Sequence, residues 1–160
     1  MRIQISAIGA KPGASEAALI EDYTKRANAL GRNMGFSGPK IVTFEAPRSL
    51  SGSQRQKKES GLLLNSVPSG ANIVALDERG QTLNSEKFAA RLGQWRDDGI
   101  SDVVFLIGGA DGHDPAVAER ATLLLSFGAL TWPHMLARVM LSEQLYRAMT
   151  IHSGHPYHRS

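Results

Sequence analysis

The sequence contains no cysteine. That excludes a disulfide framework, thiol redox chemistry and thiolate metal sites, and makes a cytoplasmic address the expectation. No apolar stretch approaches the roughly 20 residues that cross a bilayer, and Met1-Arg2-Ile3-Gln4-Ile5-Ser6 reads as a strand rather than a secretion signal. Phosphate-binding signatures are missing too. Gly108-Gly109-Ala110-Asp111-Gly112 lacks the spacing of a dinucleotide fingerprint, and no Walker lysine is present. Excess charge is scarce as well, at a formal +3, which argues against an appended nucleic-acid-binding module. What remains, 160 residues with 42% hydrophobic and 21% charged content, suffices for one domain over residues 1–160 with a sizeable core.

The charge is small but uneven. Residues 1–58 hold ten basic and four acidic side chains, and residues 77–119 four and nine. Within the first block, residues 46–58 (Ala-Pro-Arg-Ser-Leu-Ser-Gly-Ser-Gln-Arg-Gln-Lys-Lys) carry four cations and no acid. Such a stretch suits a phosphate backbone or forms a merely solvated loop. The last third adds Arg120, Arg138, Arg147 and Arg159, with four of the five histidines.

Apolar runs rich in β-branched residues alternate with longer helical patterns, the order of a parallel α/β sheet with crossover helices. The patterns predict strands at 2–8, 40–45, 72–77, 102–107 and around 128–131. Helices are predicted at about 14–32, 54–66, 84–98, 115–125 and 133–149. Asp102-Val103-Val104-Phe105-Leu106-Ile107 reads as a strand buried on both faces and runs directly into the glycine segment. Ile73-Val74-Ala75-Leu76-Asp77 before Glu78-Arg79-Gly80, and Gly128-Ala129-Leu130-Thr131-Trp132-Pro133 before the last helix, repeat that design. Ligands favour this end of parallel strands, so three loops can converge on one rim, although each taken alone is also an ordinary tight turn. Met135, Leu136, Val139, Met140, Leu145, Ala148 and Met149 form an apolar stripe suited to the core or to a second subunit.

The sequence closes on His155-Pro156-Tyr157-His158-Arg159-Ser160. Either this is a frayed polar end, or it brings an imidazole base, a phenol and a guanidinium to a site. His152, His155 and His158 recur at a metal-ligand spacing that needs a helix, which Gly154 and Pro156 oppose, so no metal is expected.

Five ordered motifs, Leu76-Asp77-x-x-Gly80, Leu106-Ile107-Gly108-Gly109-x-x-Gly112, Ala129-Leu130-Thr131-x-Pro133-His134, Glu143-Gln144-Leu145-Tyr146-Arg147-Ala148 and Pro156-Tyr157-His158-Arg159, run across the whole chain. Together they closely resemble the RlmH family of the SPOUT superfamily. The resemblance implies a SPOUT-type α/β fold, a parallel sheet with helices on both faces and a deep C-terminal trefoil knot. It implies an S-adenosyl-L-methionine-dependent transferase that methylates N3 of a pseudouridine in 23S ribosomal RNA, on the assembled ribosome. The cofactor would lie among Leu76, Gly108, Gly109 and the segment Gly128, Ala129, Leu130, Thr131, Trp132 and Pro133. Tyr157, His158, Arg159 and Arg147 would face the RNA, and the protein would be a homodimer in which one tail helps complete the partner's site. Rival readings are a non-catalytic RNA- or ribosome-binding module, a flavodoxin-like nucleotide-binding enzyme and a zinc hydrolase built on the tail histidines.

Overall fold

The computed structural model describes residues 1–9, 15–47 and 49–159; Arg48 of the basic stretch, residue 14 of the first predicted helix and Ser160 of the tail lie outside them. Its elements run β1 (Arg2–Ile8), α1 (Ser15–Gly31), a 3-10 turn (Arg32–Met34), β2 (Ser37–Phe44), α2 (Gly52–Asn65), β3 (Asn72–Thr82), α3 (Ser85–Asp97), β4 (Asp102–Ile107), α4 (Pro115–Arg120), β5 (Leu123–Ser126) and α5 (His134–Ser153). The five strands form one sheet in the order β2-β1-β4-β3-β5, and every pairing in it is parallel.

Alternation along the strands sorts the core into two layers. Ile3, Ile5, Ala7, Val74, Val103, Phe105 and Ile107 pack with residues of α1, α3 and α5, among them Ala27, Leu92, Leu141 and Leu145. Ile73, Ala75, Val104 and Leu106 face the other way, onto Leu63 of α2 and Val117 of α4. Because both faces are covered, β4 is apolar at every position from Val103 to Ile107, all buried. The helices begin where their sequences supply caps: Asn84 accepts from the Lys87 amide at 2.8 Å, and Asp114 accepts from the Ala116 amide at 3.0 Å ahead of Pro115.

The strand expected near 128–131 is instead β5, at Leu123–Ser126, inside the segment the pattern assigns to a helix over 115–125. A run as short as Leu123-Leu124-Leu125 satisfies both periods, so only a tertiary partner decides between them. That partner is Ile73. Thr122 donates its amide to the Ile73 carbonyl at 2.8 Å and accepts the Ile73 amide on its hydroxyl at 3.2 Å, drawing the leucines alongside β3. At the other end of the chain α5 continues past the expected 149 to Ser153, where Gly154 ends it in the left-handed region at φ +68°. His152 is therefore helical, its Nε2 2.9 Å from the Ala89 carbonyl.

β3 and β5 cross closely. Leu125 pairs with both Leu76 and Gln81, so residues 77–80 leave the ladder at the C-terminal end of β5. Gly80 lies so near the β5 backbone that a Cβ would stand 2.6 Å from both the carbonyl carbon and oxygen of Leu124. The neighbouring atoms are main chain and cannot turn aside. Gly80→Ala is expected to cost about 1–3 kcal/mol of stability, read in urea titration as a lower midpoint at unchanged slope; an unchanged midpoint would show that the crossing relaxes freely.

Candidate active site

The parallel topology places the C-terminal ends of β3, β4 and β5 side by side, and the loops leaving them enclose a cavity of about 820 Å³. Its walls are Leu76 to Arg79 within β3, Ile107 at the end of β4 with Gly108 to His113 beyond it, Leu125 of β5 with Phe127, Gly128 and Leu130 to Pro133 beyond it, Gln56 from α2, and His134 and Ala137 from α5. Of the residues the sequence assigns to a cofactor, Leu76, Gly108, Gly109, Gly128, Leu130, Thr131, Trp132 and Pro133 line it; Ala129 belongs to the same loop without contributing to the wall.

Each loop is held by contacts that explain its glycines. Gly109 and Gly112 form an antiparallel bridge, closed by the Gly112 amide on the Gly109 carbonyl at 3.1 Å. Helix α2 grips this turn from below: Gln56 Nε2 donates to the carbonyls of Asp111 at 2.8 Å and His113 at 3.1 Å. The buried Glu59 packs so closely that a Cβ on Gly109 would lie 2.5 Å from its Oε2. Burial pushes the Glu59 carboxyl pKa up, against the pull of Arg55. The Ser126 hydroxyl, 3.1 Å from the carbonyls of Glu78 and Gly128, also accepts the Gly128 amide at 3.1 Å. It joins the β3 loop to the β5 loop, whose Gly128 sits at φ +108°.

Asp77 and Arg79 on the wall are held by each other. Asp77 accepts from Arg79 through Nε at 3.0 Å, Nη2 at 2.9 Å and the backbone amide at 2.9 Å, and these bonds hold its carboxyl below the ordinary range. His113 is buried behind Gly108, whose Cβ would approach its Cε1 to 3.3 Å. Burial depresses the His113 pKa, while the Asp77 charge and the carbonyls of Leu106 and Leu76 draw it up. Residue-type reasoning missed Gln56, Arg79 and His113. Only Asp77 left a signal, as an acid just beyond a buried strand.

The four residues expected to face a substrate are elsewhere. Tyr157 folds back along α5, its hydroxyl donating to Glu143 Oε1 at 3.0 Å and its ring 4.7 Å from that of Tyr146. The Arg147 guanidinium lies 4.8 Å over the Tyr157 ring and donates through Nε to Glu143 at 3.0 Å. Burial, and then hydrogen bonding with Tyr23 and Glu143, keep the Tyr157 phenol far above its usual pKa and therefore protonated. His158 Nε2 stands 3.3 Å from Glu86 of α3, and Arg159 is exposed. None of the four lines the cavity. Within one chain the glycine-rimmed cavity and the ordered tail are thus separate.

Over residues 1–158 the sequence matches the family model described as "Predicted SPOUT methyltransferase". The chain belongs to the SPOUT methyltransferase family. Curated relatives match end to end. A protein of Paramagnetospirillum magneticum is 50% identical over 99% of both chains, one of Hyphomonas neptunium 49% over the whole of both, and one of Rhodopseudomonas palustris 46% over the whole of both. Each carries the name "Ribosomal RNA large subunit methyltransferase H". For a SPOUT methyltransferase the cavity is the place to seek a methyl donor. No helix among the described residues is long and apolar enough to cross a membrane.

The buried His113 has a measurable consequence. Its folded-state pKa lies below the unfolded value of about 6.5, so below that pH the unfolded chain binds the extra proton and stability falls as pH drops. Thermal midpoints measured between pH 7.5 and 5 are expected to decline less for His113→Leu than for the parent. The half-buried His152 shifts in the same direction, so part of the decline persists in the variant. Parallel curves for the two proteins would place His113 outside this linkage.

Proposed function

We propose that this protein methylates N3 of a pseudouridine in large-subunit (23S) ribosomal RNA, in the cytoplasm and on the assembled ribosome, with S-adenosyl-L-methionine as donor. The observation that carries the proposal is the glycine-rimmed cavity at the ends of β3, β4 and β5, in a chain whose curated relatives bear the name of a ribosomal RNA large subunit methyltransferase. A volume near 820 Å³ suits a nucleoside-sized ligand. Leu76, Ile107, Leu125 and Phe127 offer an apolar bed for a base. Glu78 and Asp111 supply negative charge for a cation, since Asp77 is already matched by Arg79. Gly108 and Gly109 leave no room for a side chain between backbone and neighbours, with a Cβ on Gly108 3.1 Å from Gly112, so ligand contact there would be made by main chain.

When bound, S-adenosyl-L-methionine supplies an electrophilic methyl on a sulfonium. The chain's own task is then to align a ring nitrogen with that methyl and to accept the proton that the nitrogen loses. His158 is the group we assign as base, taking the N3 proton on a ring nitrogen. Tyr157, held protonated, is a donor for a uracil carbonyl, and Arg159 serves a phosphate or the negative oxygen that develops on the base. Arg147 orients Tyr157 through the ring contact and their shared Glu143.

We further propose a homodimer in which the tail of one copy closes the cavity of the other. Support comes from the separation of tail and cavity within a single chain, and from Leu130 and Trp132 of the cavity wall and Leu136 in the first turn of α5, large apolar side chains left 71%, 40% and 40% exposed. The trefoil knot belongs to the same proposal, and the close passage of residues 77–80 over β5 supports it. Removal of residues 155–160 is expected to leave S-adenosyl-L-methionine affinity unchanged by calorimetry while methylation of ribosomes falls by about 10²–10⁴-fold. A truncated protein that methylates normally would remove the tail from the reaction.

A further inference from the structure

Lys57 and Lys58 of the basic stretch remain unused by the site described above. Helix α2 turns its single acid, Glu59, inward, where it is buried and meets Arg55 at 3.4 Å. Lys57 and Lys58 are exposed and take part in no ion pair among the described residues. With Leu50, Leu62 and Asn65 they line a shallow groove of about 430 Å³ on the outer side of the helix. Gln56, the residue before Lys57, lies in the wall of the main cavity and grips its glycine turn. The groove and the cavity therefore share one helix, which gives Gln56 to the cavity and the next two residues, Lys57 and Lys58, to the groove.

We propose that this groove is a docking track for the sugar–phosphate strand of the RNA next to the methylated nucleotide. Lys57 and Lys58 neutralise successive phosphates, and Leu50 and Leu62 form an apolar floor against which a sugar or base can lie. Charge complementarity selects the occupant, because the outward face of α2 offers cations and no carboxylate to a partner. The inference rests on the RNA-methylating function proposed above and adds where the strand runs.

The test compares the parent with Lys57→Gln/Lys58→Gln, two exposed changes that should leave the thermal midpoint unaltered. Binding to protein-free large-subunit RNA is titrated across salt concentration, and methylation of ribosomes is followed with saturating donor. The proposal expects the slope of log affinity against log salt to shrink by about 0.7–0.9 for each lysine removed. KM for ribosomes should rise severalfold while kcat and donor affinity stay at parental values. Unchanged slope and unchanged KM would overturn it. A raised KM with an unchanged slope on protein-free RNA would overturn it too, by assigning the face to a ribosomal protein. If the parent fails to methylate ribosomes, the functional reading falls, while the salt slope on RNA still decides the groove.

Discussion

Helix α5 is packed against α1, α3 and the sheet with ten of its twenty residues buried, and both halves of the candidate site hang from it. Its first turns supply His134 and Ala137 to the cavity wall, and its far end carries the tail. Arg138, only 3% exposed, fixes the helix to the end of β1 by donating to the carbonyls of Ile8 at 2.8 Å and Gly9 at 2.6 Å. Burial without a carboxylate partner lowers its pKa, a cost met by these two charge-assisted bonds at the C-terminal edge of the sheet.

The geometry of that helix separates the half-sites. Glu143, which anchors Tyr157, lies six residues beyond Ala137, about 9 Å further along the axis and a third of a turn around it. The tail is ordered rather than frayed because Gly154 reverses the chain and Tyr157 finds an aromatic bed on Tyr146 and a half-buried acceptor in Glu143. Order at a terminus is entropically costly, and here it sets His158 beside Glu86 of α3, outside the cavity wall. Two copies joined through the apolar rim would turn this separation into two complete sites, each built from both chains.

Much of the fold was legible because both-faces burial writes itself as continuous apolar strands such as Val103–Ile107. β5 was misplaced because three leucines fit either period and the deciding partner, Ile73, is some 50 positions earlier in the chain. The cavity glycines were visible as a group, since glycine after a buried strand has a backbone reason to be there. Gln56, Arg79 and His113 were not, because their placement depends on which loops the sheet order brings together. The division of tail from cavity was invisible in residue patterns and entered the sequence reading only through family resemblance. What the structure adds is its physical cause, a rigid buried helix with the tail pinned to its flank.

The central claim, that cavity and tail act across two chains, is tested most directly by mixing two inactive variants. One lacks residues 155–160 and keeps its cavity; the other carries Gly109→Trp, whose side chain collides with Glu59 and disrupts the glycine turn of the cavity, and keeps its tail. After the subunits are exchanged in dilute denaturant and refolded together, the account predicts that ribosome methylation reappears, because each mixed dimer holds one intact cavity facing one intact tail. Mixed dimers that form, as shown by differential tagging, yet remain as inactive as either variant alone would contradict it and return the tail to its own subunit's cavity.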